Sequence, residues 1–257
     1  MSEDELSESI KFEAEQYIPF DIEDVNLDFQ ILGLAEKENM MDVIIVAAKK
    51  DKINEYVTVA KEAGLSPVIV DVDAFALENM YERNYEVKPD ENIAIVNIGA
   101  SMININILKG GVSVFTRDSA VGGNLHTEAL QKEFTLSYAS AEKLKQEGSA
   151  EGISKDDVAS VLASASEDII SEISRSFDYF RDTTNYENIN EILLCGGGAL
   201  TTGFVNLLSE KSGISIKVSE PLKNINIPDS FDREYLRKVE PIVSVAVGLA
   251  LRSLGDK

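Results

Sequence analysis

An α/β chain built as two units is what the sequence predicts, and three local patterns carry that expectation. Ile189, Ile192, Leu193 and Leu194 read as a short buried strand that runs into Gly196-Gly197-Gly198, and Phe204–Ser209 reads as the helix that follows. Glycines at such a junction let the backbone approach a ligand closely and turn its N–H groups toward it. About a hundred residues upstream, Ile93–Ile98 is a strand that turns at Gly99-Ala100-Ser101 into a second strand, Met102–Leu108. Lys109-Gly110-Gly111 then turns into Val112–Thr116, so a hairpin follows the first turn directly.

The elements follow in order. Leu6, Ile10, Phe12, Ala14 and Tyr17 lie among acids in a helix over 4–17, ended by Ile18-Pro19 because the residue before proline disfavours helix. Val25–Leu32 alternates apolar and polar as a half-buried strand, 36–42 is a solvated turn, and Val43–Ala48 is a buried strand. Asp51 is expected to cap a helix through Ala63 that Gly64 closes, and Pro67–Val72 is a further strand. Residues 1–73 thus form a small α+β unit of about three strands and two helices. Ala74–Tyr85 is a helix, and 86–91 is a linker. A second unit runs from 92, with helices over Asp156–Tyr179, a strand at Ile214–Val218 and an apolar helix over Ser244–Leu254.

Composition narrows the function. The 257 residues are 44% hydrophobic and 27% charged, a soluble globular balance with material for more than one core. No apolar run reaches the ~18 residues a membrane span needs, and the acidic N-terminus lacks the features of a secretory signal. The single Cys195 excludes an internal disulfide. These features predict a cytoplasmic chain. A net charge of −21 argues against binding nucleic acid or anionic lipid. That charge either serves solubility or complements a basic partner segment. One histidine and one cysteine make a transition-metal site improbable. His126, after Gly-Gly-Asn, reads as a helix-entry residue rather than a catalytic base. No Ser-His-Asp set, reactive cysteine or carboxylate pair stands out.

The order of motifs resembles a known family. The strand–turn–hairpin, the distant Gly-Gly-Gly turn, Arg117–Glu128, Ser137–Glu147, Pro241–Arg252 and the opening Phe12–Phe29 together resemble the PilM family of type IV pilus assembly proteins, with the cell-division protein FtsA a more distant relative. The resemblance implies an actin-like (ribonuclease H-like) two-lobed α/β fold. Residues 1–73 would be the α+β subdomain inserted in the first lobe, 74–91 a first-lobe remnant and linker, and 92–257 the second lobe with a helical outer subdomain near 126–190. Family members normally begin with a Gly-rich phosphate loop that this chain lacks, so the first lobe is expected to be truncated.

The same resemblance implies ATP with Mg²⁺ in the cleft. Gly99, Ala100 and Ser101 would form the second phosphate turn, with Gly122, Gly123 and Asn124 near the phosphates. Glu142 and Lys145 would lie near the ribose, and Gly196, Gly197 and Gly198 would abut the adenosine. Read without the family, Glu142 and Lys145 are equally a surface i,i+3 pair. The family usually has Asp where Asn97 stands, and Asn loses the charge that a hard cation prefers. Half a cradle and that change predict weak or absent ATP binding and no catalysis.

The partner implied is the N-terminal cytoplasmic tail of a PilN-like inner-membrane protein, held in a groove between the inserted subdomain and the first-lobe body. Tyr17, Ile18, Phe20, Val70 and Asp71 are candidate contacts, or else pack at a helix end and a strand end. The chain would then associate peripherally with the inner membrane through its partner, and homo-oligomers are common in the superfamily. Three alternatives remain, one of them a secretion-system relative with a similar cytoplasmic lobe. An ATP-dependent actin-like enzyme, such as a sugar kinase, needs a base and both phosphate loops. An FtsA-like division scaffold normally carries a C-terminal amphipathic membrane helix, whereas this sequence stops soon after its last core helix.

Overall fold

The structure, a computed structural model, describes residues 3–34, 41–184, 188–253 and 255. It divides into two compact units, Met1–Val70 with Ser253–Lys257, and Asp71–Arg252.

In the first unit, helix α1 (Glu3–Glu15) buries Leu6, Ile10 and Ala14, four residues apart and therefore on one stripe. The amides of Tyr17 and Ile18 donate to the Ala14 carbonyl and close the helix just before Pro19. Strands β1 (Val25–Leu34) and β2 (Met41–Lys49) pair antiparallel from Val25 opposite Lys49 to Leu34 opposite Met41, with a bulge between Ile31 and Gly33. Most of the solvated turn expected over 36–42 lies outside the described residues. Helix α2 (Lys50–Glu62) ends as expected, with Gly64 at φ +79° and the Leu65 amide donating to the Ala60 carbonyl.

Two details differ from expectation. Asp51 sits in the first turn of α2 instead of capping it, and favours the helix through its charge at the positive end of the dipole. Pro67–Val72 is not a strand: the sheet of this unit contains β1 and β2, and no ladder to this segment exists among the described residues. A β-favouring alternation satisfies local preference, but a strand also needs a partner. Val68 and Val70 stay exposed.

The second unit centres on a five-stranded sheet of order β5-β4-β3-β6-β7: β3 (Asn92–Ile98), β4 (Ile103–Lys109), β5 (Val112–Ser119), β6 (Glu191–Cys195) and β7 (Ser215–Val218). The first three form an antiparallel meander, while β3–β6 and β6–β7 are parallel. Alternation splits the core in two. Ala94, Val96, Ile98, Ile192 and Leu194 face one layer, containing α6 (Lys155–Thr183) and α7 (Phe204–Ser212). Ile93, Ile95, Leu193 and Cys195 face the other, containing α3 (Asp73–Asn84) and α9 (Ser244–Leu251). Central strands covered on both faces read as continuous apolar runs.

Helices α4 (Asn124–Phe134) and α5 (Tyr138–Glu147) close a third cluster against α6 through Leu130, Leu144 and Leu162. The apolar stretch expected as several helices is the single 29-residue α6, whose N-terminus Ser154 caps by accepting from the Asp157 amide. The last helix ends at Leu251, and Arg252 pairs with Asp71 at 3.1 Å. Helix α8 (Arg233–Val239), capped by Asp232, was not anticipated.

Candidate functional site

Where β3 ends, the chain turns through Gly99-Ala100-Ser101, and the Gly99 amide donates back to the Met102 carbonyl at 2.9 Å. The turn that opens α4 docks onto it. The Gly123 amide donates to the Gly99 carbonyl at 2.9 Å and the Asn124 amide to the Ala100 carbonyl at 2.8 Å. Only glycine fits at 122, where a Cβ would stand 2.6 Å from the Ala100 carbonyl oxygen and 2.7 Å from that of Gly99.

These two turns form one end of a cavity of about 190 Å³. Gly197 and Gly198, in the turn of 3₁₀ helix after β6, form another wall. The third wall is one face of α5: Tyr138, Glu142, Lys145 and Gln146 follow helical spacing. Of the residues expected at a nucleotide, Gly99, Ala100, Gly123, Asn124, Glu142, Lys145, Gly197 and Gly198 line this one space.

Four others stand behind it. Gly122 is the docking point just described. Gly196 is at φ +84° and donates its amide to the Pro241 carbonyl. Ser101 accepts from the Asn124 side chain at 3.5 Å. Asn97 is not on the cavity wall. Its Nδ2 donates to Asn104 Oδ1 at 3.0 Å, and Asn104 donates to Asp118 at 2.8 Å, a polar row across three directly opposed strand positions.

The charged centre of the cavity is the Glu142–Lys145 pair, 2.6 Å apart with the Lys145 side chain only 12% exposed. The Lys145 ammonium also donates to Thr127 Oγ1 at 3.0 Å and reaches the Gly123 carbonyl at 3.5 Å. Burial alone would raise the Glu142 carboxyl, but hydrogen bonds from Lys145 and Thr127 and the lysine charge outweigh it and hold it below its usual value. His126, one residue from Thr127, is fully buried with Nε2 2.8 Å from Ser166 Oγ. Burial and the Lys145 charge push it down to about 4 against an opposing pull from Glu142, so it is neutral. A solvent-excluded, neutral imidazole inside the helical layer is structural, as its sequence position suggested.

Sequence reasoning missed Tyr138, Gln146, Leu200, Thr201 and Ile242 on the same walls. Tyr138 and Gln146 were within reach, since they lie four residues either side of Glu142 on one helix stripe. Thr201 is 4% exposed, and its hydroxyl has no hydrogen-bond partner among the described residues. A buried hydroxyl left unpaired is costly, which marks it as a group for a ligand or water to satisfy. No sequence signal announced it, nor Ile242, which arrives from a distant segment.

A second cavity, of about 250 Å³, is lined by Asp73, Asn104, Arg117 and Asp118. Burial and the charges of Asp118 and Asp71 raise the Asp73 carboxyl. Cys195 is buried, and burial pushes its thiol up to about 11 against hydrogen bonds from Ser219 and Ser244. It is therefore no nucleophile. Among the described residues, no group of three or more His, Cys, Asp or Glu could hold a metal ion, and no helix is long and apolar enough to cross a membrane.

The candidate tail contacts fall elsewhere. Tyr17 is 79% exposed, Phe20 lies under the Lys49 ammonium at 3.9 Å, Ile18 is half-buried and Val70 is exposed, all in the first unit. Asp71 belongs to the second unit, where Arg252 takes its carboxylate and Oδ1 accepts from the Val72 amide.

Comparison with known proteins gives this geometry a family. A solved structure described as the PilM-PilN type IV pilus biogenesis complex matches 98% of this chain and 73% of its own at 28% identity, with a TM-score of 0.81. The ethanolamine utilization protein EutJ from Carboxydothermus hydrogenoformans (17% identity, 80% of this chain and 62% of its own, TM-score 0.57) shares the fold. So does MreB 5 of Spiroplasma citri bound to AMPPNP (16%, 79% and 64%, TM-score 0.56). The fold is thus actin-like. The profile of the family described as Type IV pilus assembly protein PilM matches residues 1–254, and the chain belongs to that family.

Proposed function

We propose that this chain is a non-catalytic assembly component of the type IV pilus inner-membrane platform, and that it binds the N-terminal cytoplasmic tail of a PilN-like membrane protein. The observation that carries this reading is the near-complete match, over 98% of the chain, to a PilM–PilN complex. Tyr17, Ile18, Phe20 and Val70 are proposed as contacts, three of them exposed and apolar or aromatic. Asp71 is a weaker contact because its carboxylate is already paired with Arg252. A net charge of −21 suits a tail carrying Lys or Arg. The chain would then sit at the membrane through its partner, as a monomer or a homo-oligomer. In family terms, we read residues 1–73 as the inserted subdomain, 74–91 as the connection and 92–257 as the second lobe, with 126–190 its helical outer part.

The cleft in the second unit is proposed as a nucleotide site of reduced strength. The glycine walls, Lys145 and the orphan Thr201 hydroxyl suit a nucleotide, whose phosphates would bring an anion to the two turns. The amides of Gly123 and Asn124 are already donated to protein carbonyls, and the Glu142 carboxylate on the cavity wall is engaged by Lys145 and Thr127. Hydrogen exchange of the chain with and without the synthetic tail tests the docking role. Protection over 17–20 and 65–72 is expected; unchanged exchange there at a saturating tail concentration would refute these contacts.

A further inference from the structure

Resting on the nucleotide reading of the cleft, we propose that Gln146 reads the edge of the bound base in a slot walled by Leu200 and Ile242, and that the site therefore takes adenine and guanine nucleotides alike. Three observations point the same way.

The first is which polar side chains on the cavity wall are still uncommitted. The Tyr138 hydroxyl donates to Asn124 Oδ1 at 3.3 Å, and Asn124 Nδ2 donates to Ser101 at 3.5 Å. Glu142 Oε1 accepts from Lys145 and from Thr127, so that pair is engaged with itself and its neighbour, in keeping with a place beside the ribose. Gln146 is exposed, and its amide makes no hydrogen bond among the described residues. The buried Thr201 hydroxyl makes none either.

The second is where these two groups stand. Thr202 Oγ1 donates to the Lys145 carbonyl at 3.4 Å, and a Cβ at Gly148 would lie 3.4 Å from the Thr202 side chain. The last turn of α5 therefore rests on the turn that follows β6, and Gln146 shares one end of the cavity with Thr201. Tyr138 is the residue of α5 that meets the docked turns, through Asn124, and Gln146 lies about 12 Å of helix further on.

The third is the apolar surface at that end. Leu200 is 39% exposed and Ile242 is 51% exposed, and both line the cavity. The Gly196 amide donates to the Pro241 carbonyl at 2.8 Å and so ties the segment carrying Ile242 to the glycine turn. Two half-open aliphatic side chains beside an uncommitted amide suit a flat ring with a polar edge.

A glutamine amide offers an acceptor and two donors in one plane. Facing adenine, its oxygen accepts from the exocyclic amine while its nitrogen donates to the adjacent ring nitrogen. Facing guanine, the amide turns over: the nitrogen donates to O6 and the oxygen accepts from N1–H. One half-turn of a free side chain serves both bases.

The test is isothermal titration calorimetry with ADP and GDP at fixed MgCl₂. The wild type is expected to bind the two within about tenfold of each other. In Gln146→Glu the side chain only accepts. It keeps the N1–H and N2–H donors of guanine and turns a lone pair against the adenine ring nitrogen. The added charge acts on both nucleotides alike, so the preference for GDP over ADP is expected to rise by about tenfold or more. Gln146→Leu is expected to weaken both by about threefold to tenfold and leave their ratio unchanged. An unmoved ratio in Gln146→Glu, unchanged affinities in Gln146→Leu, or a wild-type preference beyond about tenfold would each overturn the inference and leave the nucleotide reading standing. Failure of both nucleotides to bind the wild type would remove the nucleotide reading itself, and this inference with it.

Discussion

Acid should unfold the second unit partly through one residue, His126. The imidazole is 0% exposed, bonded through Nε2 to Ser166, stacked edge-on to Phe204 at 5.9 Å, and held down to about 4 by burial and by Lys145. In the unfolded chain it titrates near its ordinary 6.5. Between these values the unfolded state binds a proton that the folded state does not, so stability falls as pH falls from 6.5 and the loss saturates below about 4. Linkage with those two values gives a loss of about 2 kcal/mol at pH 5 and about 3 kcal/mol at pH 4, relative to pH 8. Burial pushes Glu78 up to about 7, which works in the opposite direction over an overlapping range and masks the effect in the wild type. The comparison is therefore wild type against His126→Gln, in which Glu78 and the other carboxylates cancel. Urea unfolding followed by far-UV circular dichroism at pH 8 and pH 5 gives both stabilities. The wild type is expected to lose about 2 kcal/mol more than the variant between the two pH values. Equal losses would show that the imidazole is not held neutral, and would refute the packing argument.

Other consequences of the packing are open to the same kind of check. Gly248 of α9 lies against the backbone of α3, where a Cβ would overlap the Ala76 carbonyl. Gly248→Ala should therefore cost about 2 kcal/mol or more in urea unfolding, and a change under about 0.5 kcal/mol would mean the helices do not cross there. Phe180 is fully buried and packs edge-on to Phe115 at 5.6 Å. Phe180→Ala should cost about 3–5 kcal/mol, read from the urea midpoint, and a loss below about 1 kcal/mol would contradict its place in the main core. Cys195, with its thiol pushed up to about 11, should resist a thiol reagent at neutral pH until denaturant is added. Rapid labelling of the native chain would place it at the surface.

Much of the second unit was legible because its signals are local. Strands covered on both faces announce themselves as apolar runs, and Gly-Gly-Asn or Gly-Gly-Gly can only be turns. The α5 wall was half-read: Glu142 and Lys145 came from family likeness, while the helical period that adds Tyr138 and Gln146 was there to be used. Thr201 and Ile242 reach the cavity through tertiary folding alone, and no spacing in the chain relates them to Gly99. Asn97 stands behind the cavity wall. Its side chain follows the hydrogen-bond row through Asn104 to Asp118, and that row depends on strand register rather than on the motif. The alternation of Pro67–Val72 suggested a strand, but whether a segment pairs is settled by its neighbours in space and not by its own residues.

The measurement closest to the central claim is a titration of the labelled N-terminal tail of the PilN-like protein with this chain, read by fluorescence anisotropy against a scrambled tail of equal composition. Saturable binding of the native tail, weakened by Tyr17→Ala and Phe20→Ala and by scrambling, is what a pilus assembly component predicts. Equal binding of the two tails, or none of the native tail at concentrations that saturate a weak peptide complex, would contradict it.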